Sequence, residues 1–314
     1  MKRAFVLRTA AVTAALAAGA AAWIAYLALH DYTEEFRERK GRLAGVRLEG
    51  RANEGPGNRY WLTLTSDNGF RAACGLLTPR QTGGRSPAVV LLGGKATGKY
   101  AVDFAMGVED VFIVAPDYPY EPRAEYSLTD LIGDIPAIRR ALLDMVPSVM
   151  LVLDYLCSRS DVDTTRIVLL GYSFGAPLVP CVIAHDRRPA VGAMVYGAGD
   201  LRSLIRHNVR RYEGPLISEF AATAGGILLY PLEPMRYADR IAPVPLLMIN
   251  GTADEQIPRE NVERLFAAAR EPKELHWIES RHVNPRNPEL TRQIIDTLRA
   301  RLTAYGFLRD PVRE

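Results

Sequence analysis

The feature that most constrains the fold of this chain is a series of short, unbroken apolar runs spaced by helix-length segments. They are AVVLL (88–92), VFIVA (111–115), IVLL (167–170), VGAMVY (191–196), PLLMIN (245–250) and ELHWI (274–278). A strand with one wet face alternates apolar and polar residues. A run without alternation is covered on both faces, which is the environment of a parallel sheet between helical layers. Helical stretches fall between the runs, at Asp134–Cys157 with Pro147 interrupting, Ala176–His185, Arg259–Arg270 and Pro288–Tyr305. Upstream, Val46–Gly50, Tyr60–Thr65 and Gly69–Leu77 are parted by the turn-forming NEGPGN and SDNG, so antiparallel strands are expected there. The expected class is α/β: a mostly parallel central sheet covered by helices on both faces.

Almost fifty residues separate the run ending near Tyr196 from the one starting near Pro245. A connection of that length is rarely structureless. Leu201–Ala238 is therefore expected to form a small helical cap inserted over one end of the sheet, the alternative being an ordinary crossover helix with a long surface connection.

The amino terminus differs in kind. Lys2, Arg3 and Arg8 precede an uncharged stretch, Thr9–Leu29, in which eleven of twenty-one residues are Ala. At about 1.5 Å per residue a helix of this length extends roughly 31 Å, close to the hydrocarbon thickness of a bilayer. Residues 1–30 thus read as a membrane anchor with its basic end in the cytoplasm and the remainder of the chain on the periplasmic side. The alternative is a signal peptide cleaved at the small residues Ala18–Ala22, releasing a secreted protein. Residues 31–43 are mostly charged and read as a solvated spacer, leaving 44–314 as the folded domain.

The charges nearly balance, 39 basic against 36 acidic residues, and are spread along the chain, so nucleic acid is not an expected partner. Cys74, Cys157 and Cys181 make no CxxC pair or zinc-finger spacing. No metal or other cofactor is expected, and a single disulfide stays open.

The run IVLL leads directly into Gly171-Tyr172-Ser173-Phe174-Gly175 and then into a helix. This is GxSxG in the strand-turn-helix setting that gives the pentapeptide its meaning. A nucleophile must stand proud of the sheet on a sharp turn, and the crowding of that turn demands small residues at Gly171 and Gly175. The helix beyond it aims backbone donors at any oxyanion formed on Ser173.

From these residues, with CSRSDVDTTRIVLLGYSFGA, IAPVPLLMINGTADEQIP and EPKELHWIESRHVNP around them, the chain resembles the α/β-hydrolase superfamily over roughly residues 85–305. More narrowly it resembles the dienelactone-hydrolase and acyl-peptidase-like esterase branches. The resemblance implies a triad in the chain order Ser, acid, His. Asp254, just past PLLMIN, and His282, in the loop after ELHWI, occupy the matching positions. Asp254 also suits a plain turn residue, while Asp200, after VGAMVY, is the reserve acid and Glu255 a weaker one. Relatives often carry His-Gly and a donor residue after the first parallel strand. Here the sequence is Gly93-Gly94-Lys95, and the backbone N–H of Lys95 is expected to complete an oxyanion hole with that of Phe174. A second departure is Ala176, where many relatives have Gly.

The expected activity is hydrolysis of a carboxylic ester or thioester of a small-molecule acyl substrate through an acyl-enzyme on Ser173. Two other readings stand beside it. One is a non-catalytic binding protein on the same fold. The other is a nucleotide site, because Gly93–Lys99 satisfies GxxxxGK, although Tyr100 stands where Ser or Thr must coordinate magnesium.

Overall fold

The computed structural model describes residues 13–15, 18–19, 21–23, 25–26, 29–51, 58–80, 84–94, 97–105, 108, 110–120, 128–284 and 286–308. The strands β1 (Leu43–Arg51), β2 (Asn58–Ser66) and β3 (Arg71–Thr78) form the expected antiparallel meander. Then come β4 (Ser86–Leu92), β5 (Phe112–Pro116), β6 (Val162–Tyr172), β7 (Val191–Val195), β8 (Leu246–Gly251) and β9 (Lys273–Ile278). These six run parallel, and the meander joins them through an antiparallel pairing of β3 with β5. The sheet order is β1-β2-β3-β5-β4-β6-β7-β8-β9. Because the chain moves from β4 outward to β5 and then back past β4 to β6, a crevice opens at the carboxyl ends of β4 and β6, the usual place for a ligand in such a sheet. All residues of β5, β7 and β8 are buried, as their unbroken apolar runs require.

Helices α1 (Thr33–Lys40), α2 (Leu128–Ser158), α3 (Leu178–His185), α4 (Leu201–Arg210), α5 (Pro215–Leu229), α6 (Arg259–Ala268) and α7 (Pro288–Ala304) complete the chain. The largest core, built on residues of α1, α2, α3 and α6, covers one face of the sheet. The other face packs against α7 and a 3₁₀ helix at Gly98–Ala105. Between β7 and β8 the chain forms α4 and α5, which pack on each other, and three short 3₁₀ turns. Leu216 and Phe220 on α5 are exposed.

Pro147 does not interrupt its helix. α2 runs through both Pro136 and Pro147. A proline within a helix removes one hydrogen bond and costs about 3 kcal/mol. Around it Val146, Val149, Met150, Leu151, Val152 and Leu153 are all buried, each contributing roughly 1.5–3 kcal/mol, which is ample compensation. Membrane-length apolarity has two sources among the described residues: Gly133–Ser158, whose apolar window is 78% buried and so is a core element, and Pro215–Leu232, only 22% buried. Cys74, Cys157 and Cys181 are all free thiols.

The segment expected to be a solvated spacer is part of the core. Tyr32, which precedes α1, and Phe36, one turn into it, are 1% and 0% exposed and join the main hydrophobic cluster. Two of the charges that suggested solvation flank this packed face: Arg39 pairs with Asp144 at 2.9 Å and Lys40 with Asp154, both on α2. Phe36 meets the buried ring of His185 edge-on at 5.0 Å, and burial pushes the His185 pKa below its ordinary value. The described residues from Thr13 to Leu29 are helical and exposed, and Arg139 of α2 lies over the Trp23 ring.

A chain beginning at Ala44 therefore loses two buried aromatics, each worth about 3–5 kcal/mol when removed from a core. Urea unfolding of chains starting at Leu29 and at Ala44 should show the shorter one less stable by at least about 3 kcal/mol. Equal midpoints would mean that α1 is dispensable.

Candidate active site

The site is built on the end of β6. Tyr172 closes the strand in extended geometry, and Ser173 turns sharply with φ +47°, in the left-handed region that a serine adopts only under constraint. The constraint is crowding. A β-carbon on residue 171 would lie 2.6 Å from the Cα of Ala176, and one on residue 175 would collide with the Leu92 carbonyl at the end of β4. Glycine at both flanks thus allows the turn to sit tight against the neighbouring strand. A 3₁₀ turn, Ser173–Gly175, intervenes before α3, which starts at Leu178, two residues beyond the expected Ala176.

Three strand ends bring the polar groups together. Ser173 Oγ lies 2.9 Å from Nε2 of His282, in the loop after β9. His282 Nδ1 lies 2.8 Å from Oδ2 of Asp254, which follows β8. Oδ1 of Asp254 accepts from the backbone N–H groups of Gln256 (2.8 Å) and Ile257 (3.0 Å). The turn-residue reading and the catalytic reading of Asp254 are therefore satisfied together, one oxygen each. The Asp254 side chain is 1% exposed and that of His282 is 9%. With Oδ2 accepting from Nδ1–H, Nε2 is left as the acceptor for the serine hydroxyl, an arrangement that can draw the proton from Ser173 during nucleophilic attack.

The two other acids do not reach the imidazole nitrogens. Asp200, the reserve acid, caps α4 instead: Oδ1 accepts from Ser203 N–H at 3.1 Å and Oδ2 from Arg264 at 2.8 Å. Its backbone, at φ +58°, is held by Glu233, whose carboxylate accepts the N–H groups of Asp200 and Leu201. Burial raises the Glu233 pKa. Glu255 accepts the backbone N–H of His282 at 3.3 Å and pairs with Arg281, so it fixes the loop rather than the ring. Hydrogen bonding, first from its own backbone N–H, holds its carboxyl below the ordinary range.

Two tyrosines support the site without having been marked by any motif. Tyr196, just past β7, is fully buried and presents its ring edge-on to His282 at 5.6 Å, while its hydroxyl is hydrogen-bonded to Ser280. Tyr118, just past β5, donates to the Gly93 carbonyl and meets the Phe174 ring edge-on at 5.1 Å. Burial raises both phenol pKa values, which keeps them as donors at neutral pH. The signal available in the sequence was positional: each stands one or two residues past the end of a buried strand.

Of the expected oxyanion donors, Phe174 follows the nucleophile in the turn, while Lys95 lies outside the described residues. Gly93 replaces the customary histidine because a side chain there has no room: its β-carbon would collide with Thr97 and lie 2.7 Å from the Ala101 methyl. The described end of the GxxxxGK segment does not offer a phosphate site. Lys99 pairs with Asp117 at 3.0 Å, and the segment enters a 3₁₀ helix rather than an α-helix with a free amino end. Among the described residues no group of three His, Cys, Asp or Glu side chains is placed to hold a metal ion.

Residues 144–282, which include all three members of the constellation, match the prolyl oligopeptidase family. The protein YfhR of Salmonella typhimurium is 33% identical over 144 residues, 45% of this chain and 47% of its own. The chain thus spans about half the length of the curated relatives it matches. Among solved structures, acetyl xylan esterase 1 from Thermoanaerobacterium superposes with a TM-score of 0.60 at 16% identity, covering 85% of this chain and 94% of that one. A puromycin-hydrolysing peptidase of Mycobacterium tuberculosis gives 0.58 at 17% identity, over 85% of this chain and 47% of the peptidase. At such identities the likeness is one of fold alone.

Ala176, the other departure from the family pattern, is accommodated by Gly197. A β-carbon on residue 197 would collide with the Ala176 methyl, so the two positions share room for one side chain. Gly197→Ala should destabilise by about 1–3 kcal/mol through overpacking, and adding Ala176→Gly should restore most of the loss. Thermal unfolding of the two single variants and the double variant measures the coupling, and additive effects would show that the positions do not compete.

Proposed function

We propose that this chain, which has the α/β-hydrolase fold, is a serine hydrolase that cleaves a carboxylic ester or thioester through an acyl-enzyme on Ser173. The reading rests on one observation: a continuous hydrogen-bonded path, Ser173–His282–Asp254, assembled from the ends of three strands and standing at the sheet's crevice. In the proposed cycle the Ser173 hydroxyl oxygen attacks the acyl carbon while its proton passes to Nε2 of His282. Asp254 holds the ring in that tautomer and stabilises the imidazolium. Collapse of the tetrahedral intermediate breaks the bond to the leaving group, which takes the proton from His282. Water then attacks the acyl-enzyme by the same steps in reverse, freeing the acid and Ser173. The oxyanion is received by backbone N–H groups, that of Phe174 and, by position, that of Lys95.

Residues 9–29 are proposed to tether the enzyme to a membrane, with the basic Lys2, Arg3 and Arg8 holding the amino terminus in the cytoplasm and Ser173 on the opposite side. A phosphatase reporter fused after Glu314, active only outside the cytoplasm, should be active. A silent phosphatase beside a working cytoplasmic reporter would reverse the topology.

Fluorophosphonate should label the full chain at Ser173 and leave Ser173→Ala unlabelled; equal labelling of both, or of neither, would sink the assignment. Ser173→Ala and His282→Ala should each lower kcat by roughly 10⁴–10⁶, with Asp254→Ala somewhat milder and the double variant hardly worse than either single one. Asp200→Ala should retain most activity, since its carboxylate is engaged on α4. If Asp200→Ala abolishes kcat while Asp254→Ala does not, the acid is the other one.

A further inference from the structure

A cavity of about 320 Å³ opens beside Ser173 and runs back along one face of the sheet. Val89 and Leu91 of β4 and Gly93 just past it line this face at successive alternate positions, with Leu170 and Tyr172 of β6 beside them. The outer wall is the 3₁₀ helix at Gly98–Ala105 and α7. Depth can be read along α7: Thr291 is near the mouth with Ser173 and Val283, Ile295 lies one turn deeper, and Leu302 reaches the level of Val89 at the far end. From Gly93 to Val89 the wall is four strand residues long, about 13 Å at roughly 3.3 Å per residue.

The wall is mostly hydrocarbon, and its polar side chains other than Ser173 and Tyr172 are turned to other partners. Thr97 donates to the Gly94 carbonyl and Thr291 to that of Asn287, both at 2.9 Å. At the base Arg299 is paired with Asp110 at 2.7 Å. Water gains little in such a space, because a buried water needs two to four polar partners. The volume is far larger than the gaps left in a packed interior and falls within the range of small-molecule sites.

We propose that this cavity holds the acyl chain of the substrate, and that the enzyme prefers straight-chain fatty acyl esters or thioesters. The inference rests on the serine-hydrolase reading and adds to it the acyl class. A zig-zag chain of ~1.5 Å carbon–carbon bonds advances about 1.25 Å per bond, so about ten carbons fill the length. Only the acyl side of the scissile bond can lie there, because the cavity leads inward from the nucleophile while a leaving group must depart toward solvent. Branching next to the carbonyl is disfavoured because Thr97 and Ala101 crowd Gly93 beside Ser173.

The test uses the full chain at fixed detergent with p-nitrophenyl esters from acetate to palmitate, plus the branched pivalate. Catalytic efficiency, kcat/KM, should rise about two- to fourfold per methylene as apolar surface is buried, reach its maximum near decanoate and leave pivalate at least tenfold behind. Ile295→Trp fills the cavity one turn below the mouth and should lower the decanoate-to-butyrate ratio at least tenfold. Should that variant not fold, the wild-type profile and the relative rates of Ser173 labelling by ethyl and decyl fluorophosphonates decide alone. A profile that is flat or highest at acetate, with Ser173 still labelled, overturns the acyl-chain assignment and leaves the hydrolase intact. Absence of labelling by either reagent overturns both.

Discussion

The carbonyl oxygen of Leu92 occupies the place where a β-carbon on residue 175 would have to be. On that close approach the rest of the site depends. It brings the end of β4 and the turn after β6 into contact, leaves Ser173 in the left-handed region, and forces the chain to leave the sheet at once toward α3. The nucleophile therefore stands above the strand ends, where loops from β8 and β9 deliver a carboxylate and an imidazole. Strain at one residue is affordable here because the flanking strands, β4 and β7, are buried and hold the turn from both sides.

The sequence was most legible where one physical cause leaves one pattern. Strands covered on both faces leave unbroken apolar runs, and all six of those are strands of the parallel part of the sheet. The nucleophile turn is equally plain, because its glycines are required by crowding that no other residue relieves. Asp254 and His282 could be found because each lies just past a recognisable strand, and the geometry brings both to Ser173. Asp200 met the same positional criterion but serves a helix cap, a distinction that depends on Ser203, three residues on, and on Arg264 from a distant helix.

What was illegible came from contacts between distant segments. Pro147 carries a strong local signal for a helix break, yet the burial of its neighbours against the sheet overrides it. Gly197 has no meaning until it is seen against Ala176, twenty-one positions earlier, just as Gly93 has none until Thr97 and Ala101 are folded over it. Tyr118 and Tyr196 follow strands whose own patterns say only that those strands are buried. The charged stretch after residue 30 misled for a related reason: its composition is dominated by the wet side of a helix whose dry side amounts to Tyr32 and Phe36.

Those two aromatics bear on how the molecule moves. With them lodged in the core, and with Arg236 donating to the carbonyl of His30, the chain is tied to the body of the fold from residue 30 onward. If residues 9–29 are held in a bilayer, as proposed, such a joint would act as a pivot and not a leash. The body would turn about the membrane normal with its anchor without swinging away to search the surrounding solution. The height of Ser173 above the lipid would then be a built-in dimension of the protein, and the substrates it meets would be sorted by where they reside as well as by what they are.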